Sequence, residues 1–228
     1  QGGDRPVNAA LIAGMLLAYT AALCLLIRKA CSARKSYLAE KILCSLLFVA
    51  VAGVSAKLGS RPEAFVHLAP ALGCCVTGDV LLAVYNRRRR LPWFVAGGVC
   101  FLAGHGLFVW GLCRLQPVGW PVPVAAAAGA LGVLALSRLP GMRFGRLLPM
   151  AAVYAAFVSA FLGKGFQLAA GLGQPWCFLV LAGAALFWVS DLLILFLYFY
   201  RASHPAVHAA NLATYYYGMF LVAISLGF

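Results

Sequence analysis

Acidic side chains are almost missing from this sequence: 228 residues hold five, at Asp4, Glu40, Glu63, Asp79 and Asp191. Charged residues of both signs make up only 10%, against about a quarter in a water-soluble domain. So little charge cannot solvate a soluble surface of this size. Several chemical signatures are missing too. Eight cysteines are present, yet none forms a CxxC pair and most lie inside apolar runs. They read as small buried hydrophobes, with neither a disulfide framework nor a metal site implied. There is no HExxH pattern, so metal ligation has no support, and no cofactor is implied. There is no GxSxG elbow, no Ser-His-Asp spacing and no glycine loop to cradle phosphate.

What is there is apolar. Hydrophobic residues reach 64% and the mean hydropathy is +0.94. One soluble core cannot hide that much apolar surface, so lipid must cover much of it. About 20 apolar residues span a bilayer core. The runs and the polar breaks between them place spans near 7–27, 37–56, 64–85, 91–113, 119–137, 147–163, 175–199 and 207–227. Each must be helical, because backbone groups in lipid need internal partners. The first run lacks a basic n-region and a clear cleavage site, so it reads as a span and not as a signal peptide. The expected fold is therefore an all-α polytopic membrane bundle of about eight transmembrane helices, one domain over 1–228.

Lysine and arginine are distributed unevenly. Twelve fall in the loops after spans one, three, five and seven: Arg28, Lys29, Arg34, Lys35, Arg87 to Arg90, Arg138, Arg143, Arg146 and Arg201. Five fall on the other side: Arg5, Lys57, Arg61, Arg114 and Lys164. The positive-inside rule then puts both termini outside the cytoplasm. The Arg87–Arg90 run reads as a topology anchor. The net charge of +13 is spread over several loops, which argues against a nucleic-acid partner. The expected setting is a bacterial inner membrane, or the endoplasmic reticulum for a eukaryotic source.

Two intramembrane acids stand out. Gly78-Asp79 in span three and Ser190-Asp191 in span seven lie 112 residues apart. Each is in the third span of its half, which suggests two tandem four-helix repeats, 1–115 and 116–228, related by an axis along the membrane normal. Asp79 and Asp191 are the only acids inside apolar helices. An acid there costs roughly 2.5–3.5 kcal/mol on insertion scales, so it usually faces a cavity and serves function. Both lie at similar depth in the half of the bundle nearer the basic loops. Lys41, Tyr154, Thr214, Tyr215 and Tyr216 fall at comparable depths, with His105 deeper in span four.

These residues resemble those of the YhhN-like lysoplasmalogenase family of eight-span membrane proteins. The resemblance rests on Gly78-Asp79, on Ala103-Gly104-His105 followed by Phe108, on Ser190-Asp191 and on Thr214-Tyr215-Tyr216, with Lys41 as a basic residue in span two. It implies an ether hydrolase that cleaves the vinyl ether bond of lysoplasmalogens, releasing a fatty aldehyde and glycerophosphoethanolamine or glycerophosphocholine. Asp79 and Asp191 would be catalytic, and Lys41, His105, Tyr154, Ser190, Thr214, Tyr215 and Tyr216 would support them or bind substrate. Lysophospholipid substrate and membrane lipids would be the partners. Paired acids also suit a proton-coupled small-molecule transporter, and a non-catalytic lipid-binding protein is a third reading.

Overall fold

A computed structural model describes residues 9–32, 36–59, 62–201 and 204–228. Asp4, Arg5, Arg34, Lys35, Arg61 and Ser203 lie outside the described residues. The described residues form eight α-helices: α1 (Ala9–Ala30), α2 (Leu38–Leu58), α3 (Pro62–Arg88), α4 (Leu91–Leu112), α5 (Pro121–Leu136), α6 (Leu148–Leu172), α7 (Pro175–Phe199) and α8 (Pro205–Ile224). Seven are long and apolar enough to cross a membrane. The exception is α5, whose 16 residues reach roughly 24 Å at 1.5 Å per residue, short of a ~30 Å hydrocarbon core. The protein is a polytopic membrane bundle.

The helices run alternately up and down, and contacts between non-adjacent loops show it. The thiol of Cys31, after α1, donates to Pro205 O at the start of α8. Lys29 pairs with Glu40. Asn86 near the end of α3 donates to Tyr37 OH beside the start of α2 at 2.6 Å. Arg143 N in the α5–α6 loop donates to Phe199 O at the end of α7 at 2.7 Å. Loops 1–2, 3–4, 5–6 and 7–8 therefore share one end of the bundle. That end carries Arg28, Lys29, the four arginines 87–90, Arg138, Arg143, Arg146 and Arg201.

Small residues let the helices approach closely, as expected where lipid supplies no hydrophobic drive between them. Gly97, Gly104 and Gly111 recur every seven residues on the face of α4 turned to α3; a Cβ at Gly111 would lie 2.9 Å from His67 O. Between α7 and α8, a Cβ on Gly183 would lie 2.8 Å from Gly218 O.

Exchanging the halves maps the packing of α2 on α8 onto that of α6 on α4, and both are present. It maps α1 on α8 onto α5 on α4, and among the described residues that second pair is not in contact.

One span differs from expectation. The apolar pattern predicts an end for the sixth near residue 163, with Lys164 on the outer rim. Instead α6 continues to Leu172 and ends at Gly173, whose φ of +62° is the left-handed conformation of a helix C-terminus. Gly163 and Gly165 are packing residues: a Cβ on Gly163 would lie 2.6 Å from Pro121 O. Lys164 is fully buried. Its ammonium donates to the carbonyls of Gln116 and Pro117, the latter at 3.1 Å, and so ties the α4–α5 loop to α6.

Candidate functional site

Asp79 lies nine residues before the end of α3, and Asp191 eight before the end of α7. At 1.5 Å per residue both sit roughly 12–14 Å in from the basic end. Both are buried, 1% and 6% exposed. They border the same polar cavity, together with Tyr37, Lys41, Asn86, Ser190, Tyr198, Asn211 and Tyr215. Its volume of about 20 Å³ is room for about one water molecule.

The two carboxyls have unequal surroundings. Lys41 enters from the first turn of α2 and places Nζ 3.1 Å from Asp79 Oδ1. Ser45, one turn further along the same face, donates to Asp79 Oδ2 at 2.7 Å. Tyr215 on α8 donates to that same oxygen at 2.8 Å. Asp79 thus has one ammonium and two hydroxyl donors. Asp191 Oδ1 accepts one bond, from Tyr154 OH on α6 at 3.1 Å. Its Oδ2 lies 3.5 Å from His105 Nε2 and has no hydrogen-bond donor among the described residues. His105 is fully buried in an aromatic box, its ring 4.6 Å from Phe187 and 5.5 Å from Tyr154.

The other expected site residues divide. Tyr216 donates to Lys41 O at 3.2 Å, lies 3.2 Å from Ser45 Oγ, and so positions the stretch of α2 that holds both. Ser190 exchanges hydrogen bonds with Asn211, locking α7 to α8 beside Asp191. Thr214 does not join the site: its hydroxyl bonds back to Ala210 O at 2.8 Å and Asn211 O at 3.2 Å on its own helix. Its neighbours Tyr215 and Tyr216 use the faces of α8 turned inward.

Residues not singled out in the sequence complete the site. Asn86 donates to Tyr37 OH and accepts from Tyr198 OH at 3.1 Å, forming a polar layer between the cavity and the basic end. Ser45 donates to one acid, and Asn211 steadies the helix that carries the other. Helical spacing could have pointed to them: Ser45 is four residues after Lys41, Asn211 four before Tyr215, and Asn86 seven after Asp79. Among the described residues no three His, Cys, Asp or Glu side chains gather closely enough to hold a metal ion.

Asp191, unlike Asp79, also borders two apolar hollows. One of about 50 Å³ is walled by Leu82, Phe94, Phe101, Tyr154 and Leu195. The other, about 320 Å³, is a groove bounded by α5, α6 and α7. A separate cavity of about 270 Å³ at the opposite end, near Glu63, His67 and Arg114, shares no residue with the acids' cavity.

The profile of the YhhN family matches the chain over residues 36–226. No curated protein and no solved structure matches it.

Proposed function

We propose that this chain, which belongs to the YhhN family, is a membrane hydrolase that cleaves the vinyl ether bond of lysoplasmalogens. One observation carries the reading: two buried carboxyls with unequal donor sets border one water-sized cavity. Vinyl ether hydrolysis needs that inequality. The double bond takes a proton on the carbon β to the ether oxygen. The resulting oxocarbenium ion is captured at the adjacent carbon by water, and the hemiacetal collapses to a fatty aldehyde and a glycerol hydroxyl. A similar cation is handled by two carboxyls of different state in glycoside hydrolysis.

The contacts divide the roles. Three donors compensate a negative charge on Asp79, so it serves as the carboxylate that steadies the cation and orients water. Asp191 has a single hydroxyl donor, and a buried carboxyl oxygen without a partner is costly to ionise. Asp191 therefore carries the proton and delivers it from Oδ2. Water's proton returns to Asp191 when the carbon–oxygen bond forms, so the acid is regenerated and one water is consumed. Tyr154 holds the Asp191 carboxyl in place with His105 packed beside it, and Tyr215, Ser45 and Lys41 hold Asp79.

The test is direct: incubate purified protein in nanodiscs with a lysoplasmalogen and measure fatty aldehyde. Asp79→Asn and Asp191→Asn should each lower turnover by about 10²–10⁴-fold, the usual contribution of a general acid or base. The double variant should be little worse than either, because the pair works as a unit. Full activity in either single variant overturns the two-carboxyl reading.

A further inference from the structure

The groove between α5, α6 and α7 has a geometry the hydrolysis itself does not account for. Its α5 wall is built of small residues, Ala125, Ala128, Gly129 and Gly132. A Cβ on Gly129 would lie 2.5 Å from Ala155 O, so α5 and α6 touch there and close the floor. A Cβ on Gly132 would meet nothing within 4 Å, so one turn on the wall faces open space. From Ala125 to Leu136 the groove runs roughly 16 Å along α5.

Its two ends differ. Just beyond Leu136 the α5–α6 loop carries Arg138, Arg143 and Arg146, all exposed. No acidic residue occurs anywhere between Asp79 and Asp191 to neutralise them. The loop is fastened to the end of α7 by Arg143 N donating to Phe199 O and Arg201 N donating to Gly141 O at 3.1 Å. Three arginines without acids, held beside an apolar channel, complement a phosphate attached to a hydrocarbon chain. Midway along the α7 wall, Asp191 borders the groove.

We infer that this groove holds the single hydrocarbon chain of a lysophospholipid drawn sideways from the bilayer, with its phosphate on Arg138, Arg143 and Arg146 and its chain running toward Ala125. The inference rests on Asp191 as the proton donor. That residue sits roughly 12 Å from the end of α7, leaving room for glycerol and phosphate between the reacting bond and the arginines. A chain laid this way brings its first carbons past Asp191 and its tail to the α5 start.

Photo-cross-linking in nanodiscs tests it with a lysophospholipid whose saturated alkyl ether cannot be hydrolysed. With a diazirine at the chain terminus, the label should fall on the Ala125 and Leu162 end of the groove. With a diazirine next to the ether, it should fall near Tyr154 and Leu195. Gly132→Phe puts a ring into the groove at a position where a Cβ meets nothing within 4 Å, and should lower labelling about ten-fold by excluding part of the chain. Gly14→Phe is the control, because a Cβ at Gly14 on α1 also meets nothing within 4 Å; it should label as the wild type does. Replacing the three arginines by glutamine should weaken labelling and its competition by glycerophosphate-bearing lipids. Labels on α1, α2 or α8, or wild-type labelling of Gly132→Phe, overturn the proposal. Groove labelling by a protein that yields no aldehyde from a lysoplasmalogen upholds the groove and sinks the hydrolysis. Aldehyde production with labels elsewhere does the reverse.

Discussion

Replacing Lys41 by methionine removes the ammonium but leaves an apolar stem of similar length in the same space. In the native protein Lys41 Nζ stands 3.1 Å from Asp79 Oδ1, and both side chains are nearly inaccessible. At an effective dielectric of about 20 the attraction between two unit charges at this distance is about 5 kcal/mol. Desolvation of both groups offsets much of it, but that cost is not recovered when one partner alone is removed. Lys41→Met should therefore destabilise the bundle by about 3–5 kcal/mol, and Asp79→Asn by a similar amount, since each leaves an unpaired buried group. The amide oxygen introduced by Asp79→Asn can still accept from Ser45 and Tyr215, so the double variant keeps the shape and the hydroxyl bonds while holding no charge. Its loss should fall well short of the sum of the singles, with a coupling of several kcal/mol. Reversible unfolding in mixed micelles, followed by circular dichroism, measures all three variants. A double variant as damaged as the sum would show that the pair contributes nothing as a pair. The same double variant separates stability from chemistry: it should recover the fold and still release no aldehyde.

Lys164→Met should cost about 1–3 kcal/mol by leaving the Gln116 and Pro117 carbonyls short of a donor, and should speed proteolysis in the α4–α5 loop. Aldehyde release per folded molecule should be unchanged, because Lys164 lies at the end of the bundle away from both acids. A lysolipid with an ester in place of the vinyl ether should not be cleaved, having no enol ether to protonate; cleavage of the ester alone would replace the substrate assignment. Tag-accessibility labelling should find both termini outside the cytoplasm, from the bias of basic residues toward the other end; a cytoplasmic C-terminus would refute it.

Hydropathy and scarcity made much of this protein legible in one dimension. A long apolar run can only be a helix in lipid, so the helices followed from composition, and glycine or proline marked most of their ends. Asp79 and Asp191 were conspicuous because an acid inside an apolar run is expensive. The same linear reading ended the sixth span near residue 163, before Lys164, where the helix in fact runs on to Leu172. Whether a glycine breaks a helix or admits a neighbouring backbone depends on what lies beside it. Pro121 O, 2.6 Å from where a Cβ on Gly163 would be, comes from another helix.

Only the tertiary structure decided which way each side chain turns about its helix axis. Helices that are apolar on every side carry little 3.6-residue contrast, so nothing local could say that Thr214 turns away while Tyr215 reaches Asp79. The difference between the acids has the same origin. Asp79 and Asp191 stand in similar short motifs at similar depth, yet Asp79 meets Lys41, Ser45 and Tyr215 where Asp191 meets Tyr154 and His105. Those partners lie between 34 and 136 residues away along the chain, beyond the reach of any local pattern. Sequence determined that two acids would be buried in lipid; packing of distant helices determined which of them is surrounded by donors and which faces the apolar groove.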